Sequence, residues 1–455
     1  MEEGEPLLDE KIVGTKWEVL VEEVRRLSYI AMPMVVVSVS QYLLRAASMM
    51  MLGHLGELAL SSAAIATSLS NVTGFSLLSG MACALETLCG QAYGAGQYRK
   101  LSTYTYGATV GLFLACIPVS LVWIYTENIL LLTGQDPAIS AEAGNYSIWL
   151  IPSLFPYAIL QSLVRFLQTQ SLILPMLFST LATLLIHLPI SWAFIFKTDL
   201  GSAGAALSIG VSYWLNVIFL GLYVNYSPKC AKTRASFSKD VFWTMGEFFR
   251  FAIPSAVMVC LEWWTFEIVI LLAGLLPNPQ QETSVLSICT RISNELGAGK
   301  PRAAQLVVCA VLLLSVVEFV ISGSVIFWCR NVLGYAFSNE KSVVWYVADM
   351  IPLLCISIVM EGPQAVLSGV ARGSGWQHIG AYVNLGAYYV VGIPVALLLG
   401  FVVHLNGKGL WCGLIGGATT QSILLGIITF RIDWNKQAIQ ARNRIFHENV
   451  ITHVT

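Results

Sequence analysis

Charge is what this sequence has least of. Asp, Glu, Lys and Arg supply 11% of its 455 residues, against about 25% in soluble domains. Hydrophobic residues supply 56%. That balance excludes an ordinary soluble domain and points to a polytopic helical membrane protein, with the lipid bilayer as its first partner. With a net charge of −1, no nucleic-acid partner is expected. The ten cysteines are scattered and never form C-x-x-C, which argues against a disulfide framework or a zinc site. The histidines are isolated, with no H-E-x-x-H and no aspartate-rich metal motif. A polytopic transferase therefore lacks its chemistry, and no cofactor is expected. Residues 1–27 are polar and charged, with no apolar h-region of a cleavable signal.

Long apolar runs are what is there. Eleven stand out, from Leu27–Leu52 to Gly409–Phe430, joined by short connections. About 20 apolar residues span a hydrocarbon core, so each run predicts one membrane crossing. Basic residues mark the cytosolic side. With one further crossing between Leu276 and Ala303, only Lys197, Arg330, Lys341 and Lys408 face the opposite side, and Arg45 stays inside the first span. This predicts twelve crossings with both termini cytosolic. Glu3, Leu7 and Leu8 have the form of an acidic dileucine signal, although a plain polar tail has the same composition.

The run Phe251–Leu276 carries two carboxylates, Glu262 near its middle and Glu267 beyond it. A charge at that depth costs on the order of 3 kcal/mol or more. Such groups face a cavity or a partner and mark a path for ions or substrate. Five residues apart on a helix, the two acids point to different sides. Desolvation disfavours a charged carboxylate, so an acid held there can trade a proton. Trp263 and Trp264 beside it offer faces to flat or cationic ligands.

The chain also repeats. Ala31-Met32-Pro33 answers Ala252-Ile253-Pro254, and eight residues past each proline stands Gln41 or Glu262. Gly94-Ala95-Gly96 answers Gly297-Ala298-Gly299. Two halves of six crossings share orientation, related by an axis along the membrane normal. The layout is a tail over 1–26, an N-terminal lobe over 27–226, a basic cytosolic linker over 227–247, a C-terminal lobe over 248–431 and a tail over 432–455. The offset between halves falls from 221 residues at the prolines (33 and 254) to 203 at the G-A-G motif (94 and 297), leaving the second half about 18 residues short. The shortfall predicts an incomplete eighth helix.

Four strings, GHLGELALSSAAIATSLSNVTGFSLLSGMACALETLCGQAYGAGQ (Gly53–Gln97), LEWWTFE (Leu261–Glu267), TRISNELGAGKP (Thr290–Pro301) and QAVLSGVARGSGWQ (Gln364–Gln377), resemble the multidrug and toxic compound extrusion family, most of all its plant DETOXIFICATION-type branch. The resemblance implies an all-α fold of two pseudo-symmetric six-helix bundles around a cleft. It implies antiport, in which a proton enters while a small organic compound, often cationic, leaves the cytosol for the vacuole or the cell exterior. A monomer is expected. It also implies that the proton-coupling acids correspond to Glu262 and Glu361, and that Arg291 is the arginine opening T-R-x-S-N. Gln41 falls where bacterial relatives often carry a titrating Asp, so protonation shifts to the second lobe. The missing residues depart from the family pattern. An inactive or regulatory isoform, or a lipid-linked precursor flippase of the same broad fold, are the alternative readings.

Other polar residues within spans read first as structural. Glu86 caps or snorkels, Arg45 snorkels and His187 packs; Asn71 and Asn145 are weaker candidates for lining a cleft.

Overall fold

In lipid the backbone must satisfy its own hydrogen bonds, so spans of this composition form helices. The computed structural model describes residues 16–198, 200–273, 292–333 and 341–446, nearly all of them helical. Eleven helices are long and apolar enough to cross a membrane: Ala31–Gly53, Leu58–Gly94, Tyr98–Ile124, Pro137–Thr169, Ile173–Phe196, Gly201–Tyr226, Asp240–Thr265, Pro301–Trp328, Ala348–Ser374, Gln377–Val402 and Asn406–Arg431. They coincide with the eleven apolar runs. The twelfth crossing, with its shortened eighth helix, falls between Ala273 and Ile292, outside the described residues.

Two compact units divide the chain, one centred on Tyr29–Cys260 and the other on Leu261–Arg444. In the first, Leu78, Leu85, Leu88, Leu101, Leu112, Tyr104, Trp123 and Tyr146 are among the fully buried side chains. Small residues bring its helices close, since lipid-embedded helices associate through packing. A Cβ on Gly204 would run into the Phe194 carbonyl, and one on Gly80 would stand 2.8 Å from Ala256 Cα.

In the second unit Gly409, Gly413 and Gly417 lie four residues apart down one face of Asn406–Arg431. Their missing side chains admit the Leu399 backbone, Ala396 and the Tyr388 ring. Gly409→Ala has no space for its methyl group against backbone. It is expected to destabilise the protein by about 1–3 kcal/mol, as overpacking does, read as a lower thermal midpoint in detergent.

The helices are interrupted where the sequence forces it. Pro33, Pro118, Pro189, Pro254, Pro352 and Pro363 lie inside helices, each removing an N–H and loosening the preceding turn. Wider π-helical turns run over Asn71–Phe75, Leu385–Gly392 and Leu398–Val402. Such turns occur frequently at functional sites.

The ends are more ordered than polar tails. The first helix begins at Lys16, because Trp17, Leu20, Val21 and Val24 recur at helical spacing among good helix formers. After the last span, Trp434–Phe446 forms a helix that buries Trp434, Ala438, Ala441 and Ile445.

Candidate functional site

The helix Asp240–Ala273 carries Glu262 eight residues beyond Pro254. Glu262 is half-buried, and Gln364 and Arg372 are the groups that act on it electrostatically. The Gln364 amide stands close without full hydrogen-bond geometry: its Nε2 is buried and has no partner among the described residues.

Gln364 belongs to Lys341–Ser374, on which Ser357, Glu361, Gln364 and Ser368 follow at intervals of three or four residues and so share one face. Glu361 is buried and accepts a hydrogen bond from Ser357 Oγ at 2.5 Å. Ser368 Oγ accepts from Gln421 Nε2 at 3.0 Å, and the same amide donates to Asn384 Oδ1 at 2.6 Å. That bond ties three helices together beneath the acids.

Tyr388 closes the group. It is fully buried in the π-helical turn Leu385–Gly392 and feels both Glu262 and Glu361. Its Oη has no hydrogen-bond partner among the described residues. The ring reaches this place because Gly417 is bare: a Cβ there would lie 2.7 Å from Tyr388 Cδ1. Gly417→Ala is expected to displace the phenol and slow transport while leaving expression near wild type, read by vesicle flux against detergent-extracted yield.

Two carboxylates thus face one guanidinium, an amide and a phenol. Buried charge is tolerated when paired. With both acids ionised the cluster carries one negative charge too many, and a proton or a cation corrects the balance.

The remaining site residues read from the sequence are spread more widely. Trp263 is half-buried beside Glu262. The side chain of Glu267 and all of Arg291 lie outside the described residues. Gln41 and Asn71 are half-buried and belong to the unit Tyr29–Cys260.

Two readings of polar residues change. Glu86 neither caps nor snorkels: its Oε1 lies 3.0 Å from Arg165 Nε, with both side chains buried. Arg165, counted among the cytosolic cations, is its counter-charge inside the first unit. Arg372, also assigned to the cytosolic side, is buried in the last turn of its helix. His187 packs as read, held by Ser48 Oγ at 3.0 Å and Ser212 Oγ at 2.8 Å.

Gln364, Arg372 and Tyr388 were missed. The spacing of Glu361, Gln364 and Ser368 was a usable signal for the first of them. Nothing in the sequence singles out Tyr388.

The MatE family model matches residues 33–193 and 287–398. The first match opens at Pro33, whereas the second opens well past the repeat counterpart Pro254, on the far side of the shortfall. Protein DETOXIFICATION 14 of Arabidopsis thaliana is 52% identical over 463 residues, covering 98% of this chain and 96% of that protein. Protein DETOXIFICATION 3 of Arabidopsis thaliana is 52% identical over 468 residues, covering 98% of each. Among solved structures, the eukaryotic MATE transporter AtDTX14 superposes with a TM-score of 0.88 at 52% identity, over 94% of this chain and 100% of that one. The Vibrio cholerae MATE transporter VcmN in its bent form gives 0.76 at 16% identity over 94% and 100%, a likeness of fold alone.

Proposed function

Because this chain belongs to the MatE, or multidrug and toxic compound extrusion, family, we propose that it works as a proton-coupled antiporter exporting small organic compounds from the cytosol. It is a multi-pass membrane transporter and not an enzyme. One observation carries the finer reading: Glu262 and Glu361 share a buried cluster in which a single arginine serves two acids. Such a cluster exchanges one proton for one cationic or polar cargo group at little change in local charge. Alternating access moves that exchange from one face to the other, as the repeated halves permit.

The chain acts as a monomer in the vacuolar or plasma membrane, with both termini cytosolic. The one-sided distribution of Lys and Arg supports that orientation. In vesicles, export of an aromatic cation should follow an imposed pH gradient and stop when a protonophore collapses it. Flux that ignores the gradient overturns the proposal.

The shortfall in the second half favours a second reading, an isoform of impaired activity. Inserting about 18 apolar residues after Leu276, enough with the short run nearby for one crossing, is expected to raise folded yield and flux together. No gain in either removes that reading.

A further inference from the structure

The unit Tyr29–Cys260 holds a cation that the acidic cluster does not use. Arg45 shares a stripe of its helix with Gln41 and Ser48, at intervals of four and three residues. Ser48 is fully buried and bonded to His187. The exposed side of the same helix carries Leu43 and Met50, at 45% and 70%. Arg45 therefore points inward and does not snorkel. It is half-buried, and no carboxylate pairs with it among the described residues.

The group on which Arg45 acts is Tyr213, which belongs to an aromatic cluster. Tyr213 lies 5.4 Å from Tyr157 and 6.3 Å from Phe75, and Phe75 lies 4.8 Å from Tyr157, centroid to centroid. Trp123 stands edge-on to Phe75 at 5.5 Å, fixed by its Nε1 donating to Thr73 Oγ1 at 2.9 Å. Phe75 and Thr73 come from the π-helical turn Asn71–Phe75. Asn71, at its head, has a buried Oδ1 with no partner among the described residues.

An inward guanidinium without a counter-ion is costly at this depth, and its planar fork matches a carboxylate. Aromatic edges receive a flat ring. The unpaired Asn71 oxygen requires a donor.

We propose that this cluster is a substrate subsite for hydroxylated aromatic acids, with the carboxylate on Arg45, the ring among Phe75, Tyr157 and Tyr213, and the hydroxyl donating to Asn71 Oδ1. It rests on the exporter reading above and extends the cargo from cations to phenolic acids.

The test is calorimetric binding to the purified full chain in detergent. The probes are 4-hydroxycinnamate, its neutral amide, and cinnamate lacking the hydroxyl. Wild type is expected to favour the acid over the amide. Arg45→Gln should lose at least about tenfold in affinity for the acid, the scale of one charge-assisted contact, and little for the amide. Arg45→Lys keeps the charge and should fall between. Asn71→Leu should weaken 4-hydroxycinnamate but not cinnamate. Thermal midpoints near wild type establish that the variants are folded; if Arg45→Gln is not, the Arg45→Lys protein and the acid-to-amide ratio of wild type decide. Wild type that treats acid and amide alike, or an Arg45→Gln protein that binds the acid unchanged, overturns the subsite and leaves the exporter standing. Proton-driven export retained by Glu262→Gln does the reverse.

Discussion

Glu262→Gln is expected to reduce proton-driven export to the level of empty vesicles. Glutamine keeps the size and much of the hydrogen bonding of the acid but cannot take up or release a proton. The half-buried position of Glu262 and its electrostatic contact with Gln364 and Arg372 should survive the change, so folded yield should not fall. Arg372 then loses one of its two acids, and proton uptake no longer alters the cluster's charge. Glu361→Gln should leave partial transport, because Glu361 keeps a local donor in Ser357 and the more accessible acid remains. Undiminished flux in Glu262→Gln sinks the assignment.

The second large effect concerns stability. Arg165→Met strands the Glu86 carboxylate in a buried place, since the pair lies at 3.0 Å with almost no exposed surface. Breaking a buried pair from one side costs about 3–5 kcal/mol. The double change Glu86→Gln with Arg165→Met removes both charges and should recover most of that loss. Arg165 Nη2 also lies 3.6 Å from Cys83 Sγ, and Nη1 lies 3.5 Å from Gln168 Oε1, so some of the loss is local packing and will remain. Thermal midpoints of the two single variants and the double variant form the cycle. Additive losses would show that the pair is not coupled.

The spans were legible because lipid imposes a simple rule: a crossing must be long, apolar and internally hydrogen-bonded. Leu58–Gly94 and Gln377–Val402 could be read that way, though their π-helical interruptions could not, since those depend on what packs against them. Glu262 stood out because an acid in an apolar run has few explanations. Tyr388 looked like one aromatic among many; its role comes from the gap left by Gly417, two helices that meet only in three dimensions. Glu86 and Arg165 lie far apart in sequence, so each was given a solvent or interfacial role alone. Arg372 was counted by the side of its loop, and the last helical turn carried it inward. Arg45 shows the same limit: snorkelling is the default for a cation near a span's end, and only the buried neighbours Ser48 and Leu52 reveal which way it faces.

The most direct measurement is of protons themselves. Purified protein in weakly buffered detergent, held near neutral pH with a pH-sensitive dye, is mixed with an aromatic cation at saturating concentration. Wild type should release about one proton per bound cation, because cargo and proton compete for the same charge balance, and Glu262→Gln should release none while remaining folded. Cation binding without proton release in wild type, or equal release from the variant, would contradict the account.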